Sequence, residues 1–237
     1  MIFTSDNVGG VAPEILEAVG AAAGGAAMPY GNDDATARAV AQVRETFEAP
    51  EAAVYFVPTG TAANALALGC ICPPWGALYC HEAAHVERDE CGAPEFYTAG
   101  AKLSLIPGPD ARMEPAALAA RARLGGGRFV HAVQNGAVSV SQATEYGAAY
   151  SCAEIAEIAA IAHGHGMAVH MDGTRFANAL LRLGCTPAEM SWKAGVDVLC
   201  LGATKNGAMA AEAVILFDPA RAWEFELRRK RGGHLFS

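Results

Sequence analysis

Two short apolar runs in this sequence each lead into charged residues, and these are the strongest candidates for chemistry. The run Val198–Leu201 predicts a buried strand that ends just before Lys205. The run Met167–Met171 predicts a second strand, which is followed by Asp172, a glycine turn and Arg175. Because ligands gather outside the carboxyl ends of strands in open α/β sheets, we expect these three side chains at one ligand site.

A lysine, a carboxylate and an arginine on neighbouring strand ends suit pyridoxal phosphate (PLP). The lysine forms a Schiff base with the cofactor aldehyde, and the aspartate keeps the pyridine nitrogen protonated. The phosphate requires an anion site, and residues Ala52–Asn64 predict one as a strand, a glycine turn and a helix. Thr59 or Thr61 can cap that helix, Gly60 permits close approach, and the free amides at the helix start attract anions.

Residues His81, Glu82 and His85 offer an alternative interpretation. They match the zinc-protease pattern of two histidines one helical turn apart with a glutamate that acts as a base. That pattern fixes only three positions, and no long amphipathic helix surrounds it here. In the PLP interpretation, His85 instead stacks on the cofactor ring and lies close enough to move protons.

Composition excludes several classes of partner. The chain has 237 residues and a formal net charge of −8, which argues against nucleic acid or an anionic membrane as the main partner. The uncharged stretch 62–80 is interrupted by Asn64, by prolines and by glycine, so we expect no membrane span there. No signal peptide is evident, and the seven scattered cysteines are typical of reduced thiols, so we expect a cytoplasmic protein.

The alternation of strand and helix patterns predicts an α/β fold with a mostly parallel, doubly wound sheet and helices on both faces. The capping box of Ser151 and Glu154 marks the clearest helix start. We also predict a strand over 128–133 and a helix over 187–193. No internal repeat or low-complexity linker interrupts this pattern.

Motifs along nearly the whole chain give it a family resemblance. The chain resembles the low-specificity L-threonine aldolases of the β-eliminating lyase family, which are PLP enzymes with the aspartate aminotransferase type of fold. The segments that carry the resemblance are Ser5–Asn7, Tyr30–Asp33, Thr59–Asn64, Ala83–His85, Asp89–Phe96, Ser141–Glu145, His170–Asn178, Thr186–Glu189, Trp192–Asp197 and Gly202–Gly207. One departure is Thr174, where the family usually has alanine.

The resemblance implies a role for each matching residue. Lys205 and His85 are expected to be catalytic, and Ser5 and Arg175 to face the substrate carboxylate or the cofactor O3′. Asp172 is expected to pair with the pyridine nitrogen. The cofactor-binding residues implied are Gly60, Thr61, His85, Asp172, Arg175 and Lys205.

The implied reaction is a retro-aldol cleavage of L-threonine, L-allo-threonine and related β-hydroxy-α-amino acids to glycine and an aldehyde. The enzymes that the chain resembles are homodimers or homotetramers, in which Tyr30 and the basic run Arg228–Arg231 could contribute to a neighbour. The resemblance implies that residues 1–225 form a PLP-binding large domain with an N-terminal arm. Residues 226–237 are then the start of the connection to a small C-terminal domain that is absent from this chain. An inactive or incomplete PLP-binding fragment therefore stays open as an alternative.

Overall fold

A seven-stranded sheet forms the centre of the computed structural model, which describes residues 4–125, 127 and 129–237. Alternate residues of each strand pack on opposite faces of the sheet, as the period-2 geometry of a strand requires. The strands are β1 (Ala53–Val57), β2 (Gly76–His81), β3 (Lys102–Ile106), β4 (Gln134–Ser141), β5 (Ala168–Gly173), β6 (Val198–Gly202) and β7 (Glu212–Leu216).

The strand order is β1-β7-β6-β5-β4-β2-β3. Strand β7 pairs antiparallel with both β1 and β6, and the other pairs are parallel. The prediction of a mostly parallel α/β sheet is therefore confirmed. Because β5 and β6 are parallel neighbours, their carboxyl ends lie side by side, and this register brings the two candidate loops together.

Helices cover both faces of the sheet. Residues of α3 and α9 pack in one buried apolar cluster, and those of α2, α6, α7 and α8 pack in the other. The helices are α1 (Pro13–Ala22), α2 (Asp34–Thr46), α3 (Gly60–Ile71), α4 (His85–Arg88), α5 (Ala93–Tyr97), α6 (Pro115–Gly125), α7 (Cys152–Gly164), α8 (Phe176–Leu183) and α9 (Ala222–Arg231).

Helix α3 explains the long uncharged stretch in the sequence. Ten of its residues, Ala62–Ile71, are buried between the sheet and α5 and α9, so the helix is apolar on all sides for reasons of core packing. None of the helices in the described parts of the chain has the length and apolar character that crossing a membrane requires.

Two predictions of local structure are wrong. Residues 129–133 form turns in which Phe129 and Val130 are exposed, and the strand follows at Gln134–Ser141; Arg128 lies outside the described residues. The helix predicted over 187–193 is a turn followed by one 3₁₀ turn, Trp192–Ala194. The backbone of Ser191 (φ −124°, ψ −108°) leaves the helical region and interrupts it.

Candidate active site

A cavity of about 340 Å³ lies where β5 and β6 end and α3 begins. This is the edge of the sheet at which ligands bind in open α/β folds. The cavity combines cationic, acidic and amide side chains with the start of a helix. Its lining residues are Asn7, Pro58, Thr59, Gly60, Thr61, Asn64, His85, Asp89, Asp172, Thr174, Arg175, Thr204, Lys205 and Glu212.

Lys205 reaches the cavity from a single 3₁₀ turn, Thr204–Asn206, just after β6. The carboxylate of Glu212 on β7 accepts a hydrogen bond from the Ala203 N–H at 2.9 Å and so anchors the beginning of this turn. Only 15% of the lysine side chain is exposed. The sheet therefore fixes the position of the turn, and the largely buried side chain of Lys205 limits where its amine can point.

Gly202 brings the lysine loop against the loop after β5. A Cβ at this position would lie 2.6 Å from the backbone of Thr174, so any side chain here would force the two loops apart. The close approach ties the position of Lys205 to the strand that carries Asp172.

Asp172 is buried at the end of β5 and lines the same cavity. Its Oδ1 accepts hydrogen bonds from the Thr174 N–H at 3.0 Å and hydroxyl at 2.7 Å, and its Oδ2 accepts one from the Asn64 amide at 3.0 Å. Burial alone would raise the pKa of Asp172, but these donors outweigh it and lower the pKa below the usual value of 3.8. The carboxylate is thus held ionised, as the counterion of a protonated ring nitrogen must be.

A second buried carboxylate extends this network to His85. Glu90 Oε1 lies 2.8 Å from the Asn64 amide nitrogen and 2.8 Å from His85 Nδ1. The hydrogen bond to Glu90 raises the pKa of His85 above its ordinary value, against the effect of burial. Asn64 therefore bridges the two carboxylates, and His85 is at the end of the chain of contacts that begins at Asp172.

Arg175 and Lys205 share the carboxylate of Asp6, which lies in the segment before α1. Asp6 Oδ2 is 2.6 Å from Arg175 Nε, and Asp6 Oδ1 is 3.3 Å from Lys205 Nζ. Burial raises the pKa of Asp6, but the two cations outweigh it and the net pKa is lowered. The two cations thus form a site for a carboxylate, which in this structure is the one on Asp6.

The first turn of α3 supplies the anion site that the sequence predicts. Thr59 is the N-cap, and its hydroxyl accepts a hydrogen bond from the Ala62 N–H at 3.1 Å. A Cβ at Gly60 would make one ordinary contact, with Thr174 Oγ1 at 3.6 Å, so no described protein atom crowds this glycine. The backbone amides of this turn and the helix dipole favour a phosphate there.

Most of the predicted site residues come together. Gly60, Thr61, His85, Asp172, Arg175 and Lys205 all line the one cavity. Ser5 is not part of this lining; it caps the 3₁₀ turn Asp6–Val8, whose Asn7 lines the cavity instead. Tyr30 lies elsewhere, with Lys230 Nζ 4.9 Å from its ring centroid. The basic run is not uniformly solvated, because Arg229 is buried and its guanidinium pairs with Glu226.

The zinc interpretation is wrong for the predicted histidine pair. His81 ends β2 and His85 begins α4, so they do not lie one turn apart on a single helix. Both ring nitrogens of His81 also contact the backbone: Nδ1 accepts from the Ala83 N–H at 3.0 Å, and Nε2 lies 3.0 Å from the Gly108 carbonyl oxygen. This histidine is a structural link between loops.

The sequence analysis did not place Asn64, Glu90, Glu212 and Asp6 in the cofactor site. Three of them lie within quoted family segments, namely Asp6, Asn64 and Glu90. Only the fold reveals their partners: Asn64 contacts Asp172 across 108 residues of sequence. A buried asparagine in an otherwise apolar helix is the signal that could have identified it, since buried amides require partners.

A family model described as beta-eliminating lyase matches residues 3–237 of the chain. The chain belongs to this family. Its relatives include the low specificity L-threonine aldolases of Pseudomonas sp. (strain NCIMB 10558) and Pseudomonas aeruginosa, at 43% and 44% identity over 235 residues. These matches cover 99% of this chain and 67% of each relative. A solved threonine aldolase of Leishmania major superposes with a TM-score of 0.91 at 30% identity, covering 98% of this chain and 67% of that one.

Beta-eliminating lyases of this kind are PLP-dependent enzymes, and the cavity fits that cofactor. It brings together an amine, an ionised buried carboxylate and an anion-binding helix start, which are the three groups that PLP requires. Asn64 Oδ1 is buried there and accepts no hydrogen bond from the described residues, which is typical of an atom at a ligand site.

Proposed function

We propose that this protein is a PLP-dependent aldehyde-lyase that cleaves L-threonine, L-allo-threonine and related β-hydroxy-α-amino acids to glycine and an aldehyde. The observation that carries the proposal is that Lys205 and Asp172, which come from different strands, line one cavity with the start of α3. The names of the Pseudomonas and Leishmania relatives support the choice of substrate.

Five residues would hold the cofactor in this proposal. Gly60 and Thr61 bind its phosphate with the free amides of the first turn of α3. Asp172 accepts a hydrogen bond from the protonated pyridine nitrogen. His85 lies against the ring, and Lys205 provides the amine that joins the aldehyde. When bound, PLP supplies an electron sink for the pair of electrons left at Cα.

The protein's own groups bind and orient the amino acid and move its protons. Arg175 pairs with the substrate carboxylate, and Asp6 must yield that position, because the same guanidinium holds Asp6 at 2.6 Å. Ser5 lies next to Asp6 and is proposed to support the same carboxylate. His85, which lines the cavity, is the proposed group that takes or gives the proton of the β-hydroxyl.

An assay of products tests the function directly. The purified chain is mixed with PLP and L-threonine; acetaldehyde is measured by its reduction with NADH and alcohol dehydrogenase, and glycine by proton NMR. We expect the two products in equal amounts, with no loss of rate in a chelator. Absence of both products with PLP present would support the alternative of an incomplete PLP-binding fragment and contradict the proposal.

We further propose a cytoplasmic homodimer or homotetramer. Exposed Phe96 and Leu227 flank a groove of about 580 Å³ between α5 and α9, and burial of such apolar side chains between copies is typical of stable oligomers. All seven cysteines are free, which supports a reducing compartment such as the cytoplasm. Light scattering tests the oligomeric state, and a monomer would contradict the proposed homodimer or homotetramer. Cell fractionation tests the cytoplasmic location.

A further inference from the structure

Glu90 is a buried carboxylate that the proposed chemistry does not use. It follows α4, and none of its side chain is exposed. Its Oε1 contacts His85 Nδ1 and the Asn64 amide, while its Oε2 is buried and has no hydrogen-bond partner among the described residues. No arginine or lysine pairs with it in the part of the chain that the structure describes.

Such an arrangement costs stability. Burial raises the pKa of Glu90, so the pocket opposes the charge that the residue must carry to attract His85. An apolar residue of similar size would avoid the unpartnered oxygen. A costly buried carboxylate that contacts a group lining the cavity indicates a functional rather than a packing role.

We propose that Glu90 is a positioning residue for His85: its carboxylate accepts a hydrogen bond from the Nδ1–H group, fixes the ring orientation and leaves Nε2 to face the substrate. This proposal rests on the proposed function only in what His85 does, since the contact itself is a property of the chain. The Asn64 amide donates hydrogen bonds to both Glu90 and Asp172 and so holds these two carboxylates at a fixed distance. Glu90 contacts the His85 ring, and Asp172 is the proposed partner of the cofactor nitrogen.

The acidic groups around His85 act in the same direction as this contact. The hydrogen bond and charge of Glu90, then the charges of Asp172 and Asp89, raise the pKa of His85, while burial lowers it. Glu145 faces the same residue from the loop after β4 and accepts the His85 backbone N–H at 2.9 Å. Lys205 and Arg175 are the cations of the same cavity.

The first experiment uses the chain without added cofactor. The titration of the His85 ring is followed by NMR in the parent chain, in Glu90→Gln and in Glu87→Gln, with the signal assigned by its loss in His85→Gln. Glu87 is the matched control, because it is an exposed glutamate in α4, the short helix that begins at His85. We expect a pKa above the ordinary 6.5 in the parent and in Glu87→Gln, and a shift to lower pH in Glu90→Gln.

A parent His85 that titrates at or below 6.5 would overturn the proposal without any variant, so a failure of Glu90→Gln to fold would not prevent the test. An equal midpoint in all three proteins would overturn it as well. Circular dichroism shows whether each variant is folded.

The second experiment uses the PLP-loaded protein. With L-threonine, Glu90→Gln is expected to lower kcat by about 10- to 100-fold with little change in KM, and to move the acidic limb of the kcat profile to lower pH. A loss without a change in the pH profile would indicate a merely structural role and contradict the proposal. If the parent chain cleaves no threonine, the proposed function fails while the NMR result still decides the contact between Glu90 and His85.

Discussion

The two ends of the sheet carry cavities of similar size but different character. The cavity at the carboxyl ends of the parallel strands has about 340 Å³ and the one at their amino ends about 310 Å³. Each contains a histidine paired with a carboxylate: His85 with Glu90 at one end, and His163 with Asp197 at the other, at 2.8 and 2.9 Å. Neither volume nor the presence of such a pair therefore distinguishes a functional site.

Burial and the use of the carboxylate do distinguish the two ends. Asp197 is 37% exposed, and its Oδ2 also accepts the Val169 N–H at 2.7 Å, so it joins neighbouring strand ends. Glu90 is buried with one oxygen unpartnered, and its network leads to Lys205's cavity through Asp172. At the carboxyl end the buried carboxylate of Glu90 lowers the stability of the fold, whereas at the amino end the carboxylate of Asp197 stabilises it.

The largest effect is expected from Lys205→Ala. Loss of the amine removes the covalent attachment of the cofactor, so kcat with L-threonine should fall by about 10⁴-fold, which is about 5.5 kcal/mol of transition-state stabilisation. The steady-state release of acetaldehyde measures it. Stability should change by only about 0–1 kcal/mol, because the partner of this lysine, Asp6, is 43% exposed.

Lys193→Ala is the matched control for this variant. Lys193 is 40% exposed and pairs with Glu48 away from either cavity. It should retain the kcat of the parent chain, and near-parent activity in Lys205→Ala would break the assignment of the carboxyl end as the site.

A smaller loss is expected from Asp172→Asn. The variant keeps the shape but not the charge that balances a protonated ring nitrogen, so kcat should fall by about 100- to 1,000-fold at saturating PLP. Asp197→Asn makes the same change at the amino end and should leave kcat unchanged. Equal losses in the two variants would remove the distinction between the two ends.

The third prediction concerns pH. Burial lowers the pKa of His170 from 6.5 to about 4, so the unfolded chain takes up a proton that the folded chain excludes. The free energy of unfolding should therefore be highest above pH 6.5 and decline by about 2 kcal/mol between pH 6.5 and 5 through this residue. Urea unfolding of the parent and of His170→Gln measures it: the variant should lack this decline, and parallel curves would contradict the account.

The smallest effect is expected from His163→Ala. Its contact with Asp197 is 45% exposed on the histidine side, so its loss should cost about 0–1 kcal/mol of stability at pH 7 and none of the activity. Urea unfolding and the acetaldehyde assay measure both quantities. A loss of activity would show that the amino-end cavity takes part in the function.

Local signals in the sequence predict much of this molecule. Thr59 and Ser151 cap the helices that their side chains predict. The strand that carries Asp172 and the strand that precedes Lys205 both end at a glycine, as the glycine turns indicate. These features depend on residues that are neighbours along the chain, and the family motifs fix the order of the site residues. The domain division at residue 225 stays a prediction.

The remaining features depend on long-range contacts. Glu90 meets Asn64 across 26 residues of sequence, and Glu212 anchors the lysine loop only because β7 pairs with β6. Strand β4 was missed because Gln134–Gly136 begin it with polar and glycine residues, while the more apolar segment before it is exposed. These contacts and the pairing of β4 with β2 and β5 join residues that are distant in sequence, so local sequence patterns do not predict them.

Reductive trapping of the cofactor tests the central claim most directly. The chain is incubated with PLP, reduced with borohydride, digested and analysed by mass spectrometry. Of Lys102, Lys193, Lys205 and Lys230, we expect a stoichiometric pyridoxyl group on Lys205 alone. Equal labelling of another lysine, or no label on Lys205, would contradict the account.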